Sequence, residues 1–305
     1  MTTPAFAGIG PDEQLRGKPV RAFLRLVMIE HSVFALPFAY IAALTAMAPG
    51  GTRWKDLVLV TVAMVAARTF AMAANRIVDR SLDADNPRTA GRELVTGAVS
   101  LRTAYVGSLV SLVVFLVVAG ALSRLCLELA PVALVLLFAY PYGKRFTWLC
   151  HAMLGLAQAV APIGAWIAVT GHWSWAAFAL GIGVGLWIGG FDLIYALQDM
   201  EHDRAHGVYS LPARFGPTVA LWVSALAHAG TFALFVAFGL AEDFGVLWYV
   251  GLGLTAVLFA YEHAIVTPTD WSRLNRAFFT LNGFIGIALF VFGLLDLVTH
   301  GHLGR

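Results

Sequence analysis

Stretches of about 20 predominantly apolar residues, each long enough to cross the hydrocarbon of a bilayer, recur along this chain from residue 21 almost to its end. Backbone inside lipid must satisfy its own hydrogen bonds, which leaves helices or a closed barrel. Alternation of apolar and polar residues at period two is absent, and a barrel needs it. The chain of 305 residues is 59% hydrophobic and 12% charged, where soluble domains carry about a quarter charged residues. The expected fold is therefore an all-α polytopic membrane protein.

Nine apolar segments are expected, at about 21–47, 56–79, 100–122, 125–141, 147–169, 174–198, 217–240, 244–266 and 277–299. No Pro/Ser-rich linker divides them, so residues 21–299 read as one integral domain between an N-terminal tail, 1–20, and a short C-terminal tail, 300–305. The first apolar run is too long for the core of a cleaved signal peptide. Cys126 and Cys150 lack CxxC spacing and read as packing residues, with no disulfide framework expected.

Lysine and arginine sort by side. Fifteen of them precede segment one or nine, or lie around the connections after segments two, four and six. Arg53, Lys55, Arg124 and Arg305 fall on the other side. The positive-inside rule then places the N-terminus and those three connections in the cytoplasm of a plasma-membrane protein, and nine spans put the C-terminus outside. Acids contribute little to orientation, so the acids gathered on the basic side need another explanation.

The stretch "AANRIVDRSLDADNPRTAGRE", residues 73–93, holds the first group. Asn75, Asp79 and Asp83 follow i, i+4, i+8 spacing, so a continuing helix puts them on one face, and Arg68, about two turns earlier, shares it. Asp85, Asn86 and Pro87 fit a helix stop. That leaves Asp79 and Asp83, which a turn alone does not need. Hard oxygen ligands at this spacing suit Mg²⁺, which takes one or two carboxylates and completes its shell with water and phosphate oxygens. On spacing alone a structural ion network remains the other reading.

Asp199 and Asp203 repeat the spacing in "DLIYALQDMEHDRAHGVYSLPARFG", with Asp192 two turns earlier and Tyr195 beside it. Glu201 and His202 are expected to point into solvent, and His202 with His206 lacks a third soft ligand for zinc. Two acidic ladders on one membrane face can hold Mg²⁺ ions with a diphosphate between them. Tyr140 and Lys144 stand four apart in "FAYPYGKRFT". A snorkelling lysine with an interfacial tyrosine would explain this pair alone; beside two ladders, a phosphate contact is the better reading.

These three motifs resemble the UbiA superfamily of intramembrane aromatic prenyltransferases over nearly the whole chain. "NRIVDRSLD" is similar to the family's NxxxDxxxD motif, "DMEHD" to its DxxxD motif and "YPYGK" to its YxxxK motif, in matching order. The resemblance implies a nine-helix fold around a central cavity, open laterally to a polyprenyl chain. It implies Mg²⁺ held by Asn75, Asp79, Asp83, Asp199 and Asp203, and diphosphate contacts from Tyr140, Lys144, Arg88 and Arg92. Arg68 matches an arginine associated with the acceptor's carboxylate, and an intramembrane arginine independently calls for an anionic partner. Asp192 and Tyr195 would neighbour the acceptor. The partners implied are a polyprenyl diphosphate, an aromatic carboxylate and the lipid bilayer, with no nucleic acid and no obligate protein partner.

Two stretches depart from the pattern of 4-hydroxybenzoate enzymes. "VMIEHSVFALPFAY" brings Glu30 and His31, and "GRELVTG" places Glu93 where proline is usual; a third stretch, "SLPARFG", follows the second ladder. All three look similar to the menaquinone branch that prenylates 1,4-dihydroxy-6-naphthoate, which is therefore the expected acceptor, with 4-hydroxybenzoate the alternative. A secondary transporter is the alternative from another class, although its charges would be expected near the midplane.

Overall fold

The computed structural model describes residues 19–27, 36–274 and 276–299. Glu30 and His31, and both terminal tails apart from residues 19 and 20, lie outside them. Short helices α1 (Pro19–Leu26) and α2 (Leu36–Met47) come first, followed by α3 (Trp54–Asp85) and the single turn α4 (Glu93–Thr96). Long helices α5 (Leu101–Leu122), α6 (Arg124–Gly143), α7 (Cys150–Thr170) and α8 (Trp175–Tyr195) follow. Next are α9 (Met200–His206), α10 (Leu211–Phe215), α11 (Pro217–Ala241), α12 (Val246–Ile265) and α13 (Asn282–Thr299).

Eight of the described helical runs are long and apolar enough to span a membrane, and Leu36–Gly50 is a shorter apolar ninth. This is the expected polytopic helical fold, with segment one represented by α1 and α2. Segment two is longer than expected, because α3 runs on through the whole first ladder and stops at Asp85. Asn86 there has extended backbone, as a residue before proline should.

The run Trp175–His206, which contains α8 and α9, is central, with 72% of its apolar window buried; the corresponding figure for α5 is 17%. On α5, Val106, Leu109, Val110, Val113 and Val117 are exposed apolar side chains, as expected of a surface that faces lipid tails. Gly181, Gly185 and Gly189 make a stripe at four-residue spacing along α8. Gly155 of α7 faces Gly185, and a Cβ on either would press into the other's backbone carbonyl. Small residues at four-residue spacing allow membrane helices this close approach.

Aromatic packing fills the core beside α8. Phe38 lies 5.3 Å from Trp187 and 5.5 Å from Phe235, ring centre to ring centre. Hydrogen bonds link polar groups there: Trp187 donates to Asn282 at 2.7 Å, and Asn282 donates to Glu262 at 2.9 Å. The buried carboxylate of Asp296 accepts from the backbone of Gly245, Leu247 and Trp248 at the start of α12, meeting donors that every helix N-terminus leaves open.

Candidate active site

The two ladders, which are more than a hundred residues apart in sequence, line one polar cavity of about 730 Å³. Asn75, Asp79 and Asp83 come from the end of α3, with Arg68 deeper on the same helix. Tyr140 lies in the last turn of α6 and Lys144 caps it. Asp192 and Tyr195 end α8, Asp199 and Asp203 follow, and Arg88 and Arg92 reach in from the loop after α3. All twelve residues expected from the sequence therefore border one space.

The carboxylates are engaged by basic and polar side chains. Lys144 Nζ lies 2.6 Å from Asp79 Oδ2, Asn75 donates to the same oxygen at 3.1 Å, and Arg145 stands 3.5 Å from Oδ1. Arg92 donates to Asp83 at 2.5 Å. Arg88 grips Asp199 with two hydrogen bonds, Nε at 2.9 Å and Nη2 at 2.6 Å, and Asn86 adds a third at 3.2 Å. Ser210 donates to Asp203 at 2.7 Å. Burial works against the charge on Arg88, yet the bonds to Asp199 hold its pKa above the ordinary arginine value. Lys144 thus turns inward to a buried acid, contrary to the snorkelling alternative.

The first ladder forms as its spacing requires. The second is bent: Ala196–Asp199 is a 3₁₀ turn between α8 and α9, which rotates each residue further than an α-helix does. That rotation accounts for His202, which lines the cavity with its ring stacked 4.0 Å from His206, instead of facing solvent as expected; Glu201 is exposed. Among the described residues no three acids, histidines or cysteines converge closely enough to hold a metal by themselves. The five proposed ligands border one cavity without forming a closed cage, which matches the chemistry of an ion that relies on substrate phosphate for part of its shell.

Behind the polar cavity lies an apolar one of about 420 Å³, walled mainly by α3, α5, α6 and α7. Arg68, Met72, Tyr140 and Gln158 border both. The two spaces meet there, with charge at one end and hydrocarbon at the other.

Sequence reasoning missed several residues of this site. Arg76 lies within the quoted ladder and borders the cavity. Arg145 adjoins Lys144 in sequence, so the motif pointed near it. His151 binds Asp192 at 2.7 Å across helices; a lone histidine opening an apolar segment was the only cue. Glu93 pairs with Arg25 at 3.2 Å, a contact that sequence distance conceals.

Membrane-length helices around a site charged at one end and apolar at the other define a polytopic membrane protein with an intramembrane binding site. Residues 35–284 match the UbiA prenyltransferase family, and the chain belongs to it. It is accordingly an enzyme, a prenyltransferase, which answers the transporter alternative. A relative from Nitrosospira multiformis, named 4-hydroxybenzoate octaprenyltransferase, is 34% identical over 82% of this chain and 85% of its own. One of the same name from Alkalilimnicola ehrlichii is 31% identical over 89% and 90%. The apo structure of a UbiA homolog from Aeropyrum pernix superposes with a TM-score of 0.79 at 35% identity, covering 88% of this chain and 98% of that one. A UbiA homolog from Archaeoglobus fulgidus, solved bound to GPP and Mg²⁺, shares the fold with a TM-score of 0.70 at 21% identity, over 91% and 99%.

Proposed function

We propose that the protein transfers a polyprenyl group from its diphosphate to a ring carbon of an aromatic carboxylate, with Mg²⁺ as cofactor. One observation carries the reading: a cavity rich in acids and arginines opens into an apolar chamber, with Arg68, Met72, Tyr140 and Gln158 bordering both. An amphiphile with an anionic head and a hydrocarbon tail fits such a pair of spaces. Asn75, Asp79, Asp83, Asp199 and Asp203 supply the hard oxygens that Mg²⁺ prefers. The chemistry supplied by the bound ion is neutralisation of charge on the departing diphosphate.

The basic residues have a complementary task. Lys144, Arg88 and Arg92 exchange their carboxylate partners for phosphate oxygens when the diphosphate arrives, and Tyr140 contacts it at the junction. Separation of the allylic carbon from diphosphate leaves a delocalised cation, which aromatic faces in the cavity stabilise with π-density. Arg68 pairs with the acceptor's carboxylate and so sets which ring carbon meets the cation. Exclusion of water by the apolar chamber protects the cation from hydrolysis.

The names of the relatives support 4-hydroxybenzoate as the acceptor. The second reading, 1,4-dihydroxy-6-naphthoate in menaquinone biosynthesis, retains the support of "GRELVTG" and "SLPARFG". The pairing of Glu93 with Arg25 gives the first stretch a structural use as well. Residues 21–299 act as one catalytic domain in the plasma membrane, with the N-terminus and the polar cavity on the cytoplasmic side and the C-terminus outside.

The test incubates membranes containing the protein with radiolabelled polyprenyl diphosphate, Mg²⁺ and each aromatic acid in turn. Labelled prenyl-4-hydroxybenzoate, lost on chelation of Mg²⁺, is the expected product. Prenylation of the naphthoate alone would establish the second reading, and no aromatic product with any acid would refute the proposal.

A further inference from the structure

Asp79, Asp83, Asp199 and Asp203 have basic or hydroxyl partners, but another acid of the cavity has a different one. His151, in the first turn of α7, places Nδ1 2.7 Å from Asp192 Oδ2 near the end of α8. The close approach of α7 and α8 at Gly155 and Gly185 brings the two together, and Gly189 leaves room beside the His151 backbone. An ionised carboxylate only accepts hydrogen bonds, so the proton of a neutral His151 lies on Nδ1. In that neutral form Nε2 carries a lone pair. It is buried, has no hydrogen-bond partner among the described residues, and belongs to a side chain that borders the polar cavity.

A buried acceptor left open in this way is costly and calls for a partner. Alkylation of an aromatic ring releases a proton that needs a base. Asp79, Asp83, Asp199 and Asp203 are committed to Mg²⁺ in the proposed reaction, while a protonated lysine such as Lys144 can only donate. Among the described histidines bordering the cavity, His202 stacks on His206, which leaves His151 as the one bound to an acid.

We propose that His151, oriented by Asp192, accepts the proton that the aromatic ring loses on prenylation; this rests on the prenyl-transfer reading above. The carbon–oxygen bond to diphosphate breaks and its electron pair leaves with the diphosphate. A ring π-pair forms the new carbon–carbon bond. The ring C–H bond then breaks, its electrons restore aromaticity, and the proton moves to Nε2, giving an imidazolium beside the Asp192 carboxylate.

The experiment uses the purified full chain with prenyl diphosphate, Mg²⁺ and the acceptor carrying deuterium at the alkylated ring position. In the wild type, loss of the proton is fast and no deuterium effect on kcat is expected. His151→Gln should lower kcat by about 10²–10⁴-fold, the usual range for loss of a general base. It should leave the KM for prenyl diphosphate unchanged and introduce a primary deuterium effect, because proton loss becomes slow. Asp192→Ala, which keeps the imidazole but removes its acceptor, should show the same isotope effect and carries the test if His151→Gln fails to fold. Variants with wild-type rates, or slowed without an isotope effect, would overturn the role of His151. A wild type that prenylates no aromatic acid would instead remove the underlying reading.

Discussion

Asp79 illustrates how much one side chain carries here. It is 1% exposed, and Lys144, Asn75 and Arg145 all converge on it. A carboxylate so enclosed is costly unless its charge is matched. Asp79→Ala is expected to lower turnover by about 10²–10³-fold, the scale of removing one group that stabilises transition-state charge. Membrane insertion should be unchanged, and turnover at the wild-type level would argue against a metal role. Arg68, at the junction of the two cavities, belongs to the acceptor in the proposed mechanism. Loss of a hydrogen bond to a charged group costs about 1.5–3 kcal/mol, so Arg68→Ala should raise the acceptor KM by about 10–100-fold. The KM for prenyl diphosphate should move much less, and the opposite pattern in steady-state kinetics would contradict the assignment. Both residues were legible in the sequence, because a charge in an apolar run or an acid at helical spacing stands out against its neighbours. His151 was not, because its partner lies on another helix.

At the scale of elements, the contact between α7 and α8 positions the site. Close approach at Gly155 and Gly185 fixes the distance between His151 and Asp192, while the 3₁₀ turn Ala196–Asp199 aims the second ladder. Gly185→Leu forces a side chain against the backbone of α7. Overpacking of this kind costs about 1–3 kcal/mol, so the melting temperature in detergent should fall. Turnover should fall further than the stability loss explains, since His151 is pushed away from Asp192. An unchanged melting temperature would mean that the helices separate without strain. The apolar segments predicted these helices well, since length and hydropathy are local properties. The 3₁₀ turn escaped, because nothing in "ALQD" distinguishes it from a further α-helical turn.

For the whole molecule, the decisive property is the joining of a polar cavity to an apolar chamber. Gly164 borders the chamber, and a Cβ there would meet open space. Gly164→Phe should therefore fold, fill part of the chamber and discriminate by tail length. The kcat/KM for a long polyprenyl diphosphate should drop by about 10-fold, equivalent to roughly 1.4 kcal/mol, with little change for geranyl diphosphate. Equal loss for both donors would place the prenyl tail elsewhere.

The sequence by itself determined the membrane-spanning helical class, the basic face and the two acidic ladders. Each of these depends on hydropathy, charge or spacing within one segment, which survives without knowledge of how segments pack. The tertiary structure decided which acids face which bases, placed His151 on Asp192, and joined the charged cavity to the apolar chamber at Arg68 and Tyr140. Apart from the local pair of Arg92 and Asp83, those facts depend on contacts between residues tens to more than a hundred positions apart, which the packing of the helices creates.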